Sequence, residues 1–83
     1  MKSAELEDRI QQIIMEEFFP NEDASLLTPS TALLTEGILD SIATLNLVGL
    51  LEDGFGISLE AHEVNTDNFN TIVDIARLIQ SKL

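Results

Sequence analysis

Apolar residues recur along the first part of the chain at the spacing of one helix face. They lie four, three, one and four positions apart, and the acidic and amide side chains between them fall mainly on the other face. The members of this stripe are Leu6, Ile10, Ile13, Ile14 and Phe18. The pattern predicts a helix over residues 4–18 with Ser3 as its N-cap. This helix ends before Pro20, because the residue preceding a proline is disfavoured in the α region.

A second amphipathic stretch begins after a glycine turn and ends at two closely spaced glycines, Gly54 and Gly56. At about 100° per residue its side chains divide into two faces. The face predicted to be buried carries Thr44, Leu47, Val48, Leu51 and Phe55, with Leu50 at its edge. The face predicted to be exposed carries Ile42, Leu45, Asn46, Gly49, Glu52 and Asp53. Exposed apolar residues bordered by polar ones are typical of a partner-docking surface, although single exposed leucines are also ordinary.

The segment between these two helices, residues 20–40, is predicted to be a long ordered loop, because it contains both prolines and several serines and threonines. Its leucine pairs, Leu26-Leu27 and Leu33-Leu34, can pin it onto the helices, since each fully buried leucine contributes about 1.5–3 kcal/mol. After the second helix, residues 60–66 are predicted to form a short helix with Val64 facing inward.

Asn70 or Thr71 is predicted to cap a final helix that runs through Leu83. Its apolar stripe consists of Ile72, Ile75, Ala76 and Ile79. Three longer helices and one short helix, with a long loop between the first two, predict an all-α four-helix bundle. Besides the first helix, the predicted core contains Leu47, Val48, Leu51, Phe55, Ile72, Ile75 and Ile79.

The length and charge of the chain restrict its partners. Its 83 residues predict a single domain, residues 1–83. Fifteen acidic against four basic residues give a formal charge of −11. A field of this sign repels nucleic acid and anionic lipid and favours proteins with basic patches, although the charge can also serve solubility alone. The sequence contains no cysteine, so it predicts neither disulfides nor a thiol of the protein's own.

No apolar stretch approaches the ~20 residues that span a bilayer. The first residues, Met1-Lys2-Ser3-Ala4-Glu5, lead into a charged helix and do not resemble a signal sequence. We therefore expect a cytoplasmic protein that does not insert into membranes. From the acidic charge we expect no binding to nucleic acid, and we expect the protein to be a monomer.

The residues with potential for catalysis or metal binding do not form a recognisable constellation. The single histidine, His62, has no evident partners for a triad or a metal site and is predicted to be solvated. The stretch Asn65-Thr66-Asp67-Asn68 has some oxygen ligands of a calcium loop but lacks the glycine and the terminal glutamate, so it is predicted to be a turn. The sequence thus predicts no metal site and no enzymatic activity.

Ser41 stands in the first turn of the second helix, directly after Asp40. A helix start presents unpaired N–H groups and the positive end of the helix dipole, which favour an anionic group there by about 0.3–1 kcal/mol. A phosphoester on the Ser41 hydroxyl would suit this position. The pair can also be an ordinary N-cap and its neighbour, because Asp and Ser are common at helix starts.

Two runs of this sequence resemble the acyl carrier protein family, which includes peptidyl and aminoacyl carriers. The first is Glu36-Gly37-Ile38-Leu39-Asp40-Ser41-Ile42, and the second is Leu50-Leu51-Glu52-Asp53-Gly54-Phe55-Gly56-Ile57-Ser58-Leu59. The similarity extends from the first helix to the closing segment Asn68-Phe69-Asn70-Thr71-Ile72. It implies that Ser41 receives 4′-phosphopantetheine from coenzyme A, and that the thiol of this arm carries an acyl or aminoacyl group as a thioester.

The sequence departs from the fatty-acid carriers of this family on the second helix. Those proteins usually place carboxylates soon after the modified serine, whereas this chain has Ala43 and Asn46 there. Gly49 stands where a larger apolar residue is common, and it leaves a hollow on the exposed face. The departure favours a dedicated aminoacyl, peptidyl or specialised acyl carrier over the housekeeping fatty-acid carrier.

The sequence therefore predicts a carrier protein with the arm on Ser41 and Asp40 as the cap that presents it. The predicted recognition surface consists of Ile42, Leu45, Asn46, Gly49 and Phe69. Its partners would be a phosphopantetheinyl transferase, an acyl- or aminoacyl-activating ligase and a downstream acceptor enzyme. The alternative is an unmodified acidic helical adaptor that binds a protein through the same face.

Overall fold

The chain folds into four α-helices, as a computed structural model that describes residues 2–83 shows. They are α1 (Ser3–Phe18), α2 (Ser41–Phe55), α3 (Thr66–Phe69) and α4 (Ile72–Gln80), with 3-10 turns at Ala24–Leu26 and Ala61–Glu63. No strand occurs within the described residues. The predicted all-α bundle of three longer helices and a short one is confirmed.

The core lies where α1 packs against α2 and α4, with α3 against α4. Its fully buried members are Leu6, Ile10, Ile14, Leu27, Leu33, Leu47, Leu51, Phe69, Ile72, Ile75 and Ile79. Met15, Leu39 and Ala76 are also buried, while Val48 and Phe55, predicted as core, are partly buried against it. The α1 and α4 stripes expected from the hydrophobic period therefore face the interior.

Buried leucine side chains and hydrogen bonds hold the long loop between α1 and α2 onto the bundle. Leu27 and Leu33 are fully buried, as predicted, whereas Leu26 is exposed. The Gln11 side chain of α1 donates from Nε2 to the carbonyl of Leu27 at 2.5 Å, and the Val73 amide donates to the carbonyl of Pro29 at 3.1 Å. The loop is thus ordered without a long helix of its own.

Some helix boundaries differ from the predicted ones. The N-cap of α1 is Lys2, without a side-chain capping bond, so the prediction of Ser3 was wrong. Thr71 caps α4, as one of the two predicted alternatives, by accepting a hydrogen bond from the Asp74 amide at 3.1 Å. Helix α4 ends at Gln80 and does not run through Leu83, because its last turn closes on Ser81.

The short helix lies later in the chain than predicted. Residues 60–66 form only a 3-10 turn at Ala61–Glu63. Helix α3 begins after Asn65, which accepts from the Asn68 amide at 2.9 Å and thereby caps it, so the stretch predicted to be a turn is mostly helical. None of the helices described in residues 2–83 is long and apolar enough to cross a membrane.

Candidate functional site

The start of α2 is fixed by Asp40, which is the N-cap that the sequence predicted. Its carboxylate accepts a hydrogen bond from the Ala43 amide at 2.8 Å. Its carbonyl accepts from the Thr44 amide at 2.9 Å and from the Thr44 hydroxyl at 2.8 Å. Because Thr44 is itself buried, this network ties the first turn of α2 to the core.

Ser41 is the first residue of α2, and its side chain is exposed. Within residues 2–83, the Ser41 hydroxyl has no hydrogen-bond partner, and the amides of Ser41 and Ile42 have no acceptor. These amides lie at the positive end of the helix dipole, which favours a negatively charged group by about 0.3–1 kcal/mol. The position therefore combines a free hydroxyl with a site suited to a phosphate.

A groove of about 590 Å³ opens beside Ser41. The loop that precedes α2 forms one wall, α2 forms the second, and the start of α3 forms the third. These walls consist of Leu34, Gly37, Leu39, Asp40, Ser41, Thr44, Leu45, Val64, Asn65 and Thr66. Its lining combines apolar side chains with a few polar groups, as is common in sites for small molecules and cofactors.

The third wall is tied to the end of the chain by an ion pair. Lys82 Nζ lies 2.7 Å from Glu63 Oε1, next to Val64. The hydrogen bond from Lys82, together with a second one from the Glu60 amide, holds the pKa of Glu63 below its ordinary value. The Glu52 carboxylate of α2 also accepts from the Leu59 amide at 2.8 Å, which attaches this segment to α2.

The predicted recognition residues on α2 lie together on its solvent face. Ile42 and Leu45 are 72% and 67% exposed, and Asn46 and Gly49 are exposed beside them. An added Cβ on Gly49 would meet no atom within 4 Å, so a shallow hollow follows the two apolar side chains along the helix. This surface carries no charge of its own.

Phe69 does not belong to this surface, and its prediction as a recognition residue was wrong. It is the last residue of α3 and is 1% exposed, because α3 packs on α4 and turns the ring into the core. The sequence-based interpretation also missed the third wall of the groove, Val64–Thr66. The only local signal was Asn65, whose spacing to Asn68 is that of an N-cap.

Comparison with known proteins identifies the class to which this site belongs. A family model described as the phosphopantetheine attachment site matches residues 6–79. The chain therefore belongs to this family of phosphopantetheine-binding carrier proteins, and the resemblance noted in the sequence is confirmed. Membership implies a covalently attached 4′-phosphopantetheine. The exposed Ser41 hydroxyl, the two free amides and the adjoining groove fit such a group.

Similar individual proteins are D-alanyl carrier proteins. That of Bacillus velezensis is 38% identical over 50 residues, which is 60% of this chain and 64% of the relative. That of Lactococcus lactis subsp. cremoris is 42% identical over 50 residues, again 60% of this chain and 63% of the relative. The chain thus matches slightly less than two thirds of the length of these relatives.

Proposed function

We propose that this protein is an aminoacyl carrier with its 4′-phosphopantetheine arm on Ser41 and D-alanine as its cargo. The observation that carries the proposal is the Ser41 hydroxyl, which is exposed and unpartnered in the described chain at the start of α2. A family model for phosphopantetheine attachment spans this residue. The names of the relatives supply the cargo.

Each residue of the site has a distinct role in this proposal. Ser41 Oγ would form the ester bond to the pantetheine phosphate of coenzyme A as the pyrophosphate bond breaks. Adenosine 3′,5′-bisphosphate would leave, and a base of the transferase would take the hydroxyl proton. Asp40 fixes the first turn of α2, and the amides of Ser41 and Ile42 stabilise the negative charge of the phosphate. When bound, the arm supplies a thiol that holds the cargo as a thioester. The protein is not itself an enzyme in this proposal.

The exposed face of α2 is the proposed recognition surface, made of Ile42, Leu45, Asn46 and Gly49. It would contact the transferase, the aminoacyl-activating ligase and the acceptor enzyme in turn. Because these four residues carry no charge and two of them are exposed apolar side chains, we expect short-range packing to set the specificity of this surface, while the overall charge of −11 steers the encounter with basic enzymes.

The cargo is proposed to stay outside the bundle. A D-alanyl thioester carries an ammonium group, and burying a charge without a partner is strongly unfavourable. The buried residues nearest to Ser41 in the sequence, Leu39 and Leu47, are apolar and offer the ammonium group no partner. The single domain, the monomeric state and the cytoplasmic location remain predictions from the sequence.

Attachment of the arm is tested by intact mass spectrometry after incubation with coenzyme A and a broad-specificity phosphopantetheinyl transferase. We expect the wild type to gain one phosphopantetheine group and Ser41→Ala to gain none. Ser58→Ala, which removes another exposed serine, is the matched control and should be modified like the wild type. No gain by the wild type with several transferases would favour the adaptor, for which Ser41→Ala should leave partner binding intact.

The cargo is tested separately on the modified protein. A D-alanine-activating ligase with ATP should load D-alanine in preference to L-alanine, and hydroxylamine should release the product because it is a thioester. The same protein with a fatty acyl ligase and a long-chain acid should be loaded poorly. Efficient loading by the fatty acyl ligase alone would refute the aminoacyl assignment without affecting the attachment at Ser41.

A further inference from the structure

Asn70, at the junction of α3 and α4, contacts the loop that precedes α2. Its side-chain oxygen accepts hydrogen bonds from two consecutive amides, those of Leu34 at 3.0 Å and Thr35 at 3.1 Å. Its side-chain nitrogen lies 3.3 Å from the Thr35 hydroxyl oxygen, to which it donates. One carboxamide thus joins Asn70 to two residues that precede it by 36 and 35 positions in the sequence.

These contacts hold a segment whose other hydrogen bonds are local. The Glu36 amide donates to the Ala32 carbonyl at 3.2 Å, and the Gly37 amide donates to the Leu34 carbonyl at 3.1 Å. The loop has no regular helix between Leu34 and Asp40, and it reverses at Gly37, whose φ of +71° is accessible to glycine at little energetic cost. Leu33 and Leu39 anchor its two ends in the core, and the Leu39 amide donates to the carbonyl of Leu33 at 3.0 Å. Between these anchors, Asn70 is the residue that fixes the Leu34 end.

The held segment is also the wall of the groove that leads into Ser41. Leu34, Gly37 and Leu39 line the groove, and Asp40, the cap of α2, follows directly. A shift of the Leu34 end therefore moves this wall of the groove beside Ser41. Displacements of about 1 Å around a reacting group can change rates by about 10²-fold.

We propose that Asn70 is a positioning residue for the modification of Ser41, acting through the loop wall. This inference rests on the proposed attachment of the arm to Ser41. The side-chain oxygen orders the Leu34–Asp40 segment, so that the groove and the hydroxyl are presented to the transferase in one arrangement. Asn70 contacts the end of this segment that is farther from Ser41 in the sequence, so it acts on Ser41 only through the segment.

The side-chain contribution can be separated from the rest of the junction. The Leu33 amide donates to the backbone carbonyl of Asn70 at 2.6 Å, and the capping of α4 belongs to Thr71. Both survive substitution of the Asn70 side chain. Asn70→Ala removes the acceptor for the two loop amides, whereas Asn70→Asp keeps an acceptor of the same shape and loses only the donor to Thr35.

The matched control is Asn68→Ala. Asn68 also donates a side-chain hydrogen bond to backbone, from Nδ2 to the carbonyl of Glu63 at 3.0 Å, but within the described residues none of its hydrogen bonds reaches residues 31–40. Two quantities are measured for the wild type and the three variants. One is the kcat/KM of phosphopantetheine attachment with one transferase, per folded molecule, and the other is hydrogen exchange at individual amides.

For Asn70→Ala we expect kcat/KM to fall about tenfold, and the Leu34 and Thr35 amides to exchange about tenfold faster, because both donors lose their acceptor. Asn70→Asp should restore both quantities, and Asn68→Ala should change neither. Equal kcat/KM for the wild type and Asn70→Ala would overturn the inference, as would an equal loss in Asn68→Ala. Failure of the wild type to be modified at all would instead refute the proposed function.

Discussion

Two regions of this molecule are stabilised in different ways. The apolar half, consisting of α1 and α4, is joined by fully buried aliphatic side chains, among them Ile10, Ile14, Ile75 and Ile79. The polar end, consisting of residues 28–41 and 59–71, surrounds Ser41 and the groove. Leu33, Leu39 and Phe69 anchor the polar end in the core. Between these anchors, side chains that bond to backbone hold it, chiefly those of Asp40, Asn65 and Asn70.

This difference suggests that the two regions have different tasks: the apolar half stabilises the fold, and the polar end positions Ser41 and the groove. Apolar burial is non-directional, so it fixes the fold but tolerates changes of shape. Hydrogen bonds act over a narrow range of distance and angle, so they fix the arrangement of a loop at a modest net contribution to stability. Substitutions in the apolar half should therefore change the free energy of unfolding. Substitutions in the polar end should change the rate of Ser41 modification where the side chain bonds to residues 34–43, as those of Asp40 and Asn70 do.

The largest effect on stability is expected for Ile10→Ala in the apolar half. Ile10 is fully buried, so the loss of its side chain leaves a cavity and should lower the free energy of unfolding by about 2–5 kcal/mol. Ile42→Ala, at an exposed position, should change it by less than about 0.5 kcal/mol. Urea unfolding measures both, and similar losses in the two variants would contradict the assignment of the core.

A smaller loss of stability is expected when either of two helix caps, Asp40 or Thr71, is removed. Asp40→Ala and Thr71→Ala each remove one side-chain cap, so each should lower the free energy of unfolding by about 1 kcal/mol. Only Asp40→Ala should also slow attachment of the arm, measured by intact mass over time, because Asp40 precedes Ser41. Equal attachment rates in the two variants would show that the cap stabilises α2 without presenting the serine.

The sequence predicted well those features that depend on neighbours along the chain. The stripes of α1 and α4 followed from the helical period, and the Asp40 cap followed from its position before an apolar run. The pairs Leu26-Leu27 and Leu33-Leu34 were predicted to anchor the loop because a long ordered loop needs apolar contacts, and one leucine of each pair, Leu27 and Leu33, is fully buried. In each case the signal and the structure that it encodes lie within a few residues of each other.

The features that the sequence did not reveal depend on contacts across the fold. Phe69 was assigned to the surface as a residue near the end of the loop after α2, whereas it is the last residue of α3 and its ring is buried. The partners of Asn70 are more than 30 positions away, so no local pattern indicates them. The polar end was therefore harder to predict than the apolar half.

A smaller effect, and one of opposite sign, is expected on the recognition face. Gly49→Ala should raise the free energy of unfolding by about 0.5–1 kcal/mol, because alanine favours the helix and its Cβ meets no atom within 4 Å. Gly54→Ala is the matched control, since its Cβ makes only an ordinary contact with Ile13 at 3.6 Å. Calorimetric melting should show both gains.

The two glycine variants should differ in partner binding. Gly49→Ala fills the hollow next to Leu45, so it should weaken binding to the ligase, measured by titration calorimetry. Gly54→Ala lies outside the recognition surface and should leave the affinity unchanged. An unchanged affinity for Gly49→Ala would exclude the hollow from the contact area.

The smallest effect concerns the ion pair that ties Lys82 to the polar end. The hydrogen bond from Lys82 lowers the pKa of Glu63 below the ordinary 4.5, so the folded state favours the ionised carboxylate. A depressed pKa adds stability that is fully present above pH 4.5 and is lost as the pH falls through the lower folded value. Glu63→Gln keeps an acceptor for the Glu60 amide but removes the charge.

The difference in melting temperature between the wild type and Glu63→Gln should therefore be largest at neutral pH and shrink below pH 4.5. In a Lys82→Met background, the pH-dependent effect of Glu63→Gln should be smaller, because the largest cause of the lowered pKa is absent and mainly the weaker contribution of the Glu60 amide remains. This double-mutant comparison isolates the pair from the other carboxylates of an acidic chain. If the difference in melting temperature stayed constant as the pH falls, protonated Glu63 would stabilise the fold as well as ionised Glu63 does, and the ion pair would contribute nothing.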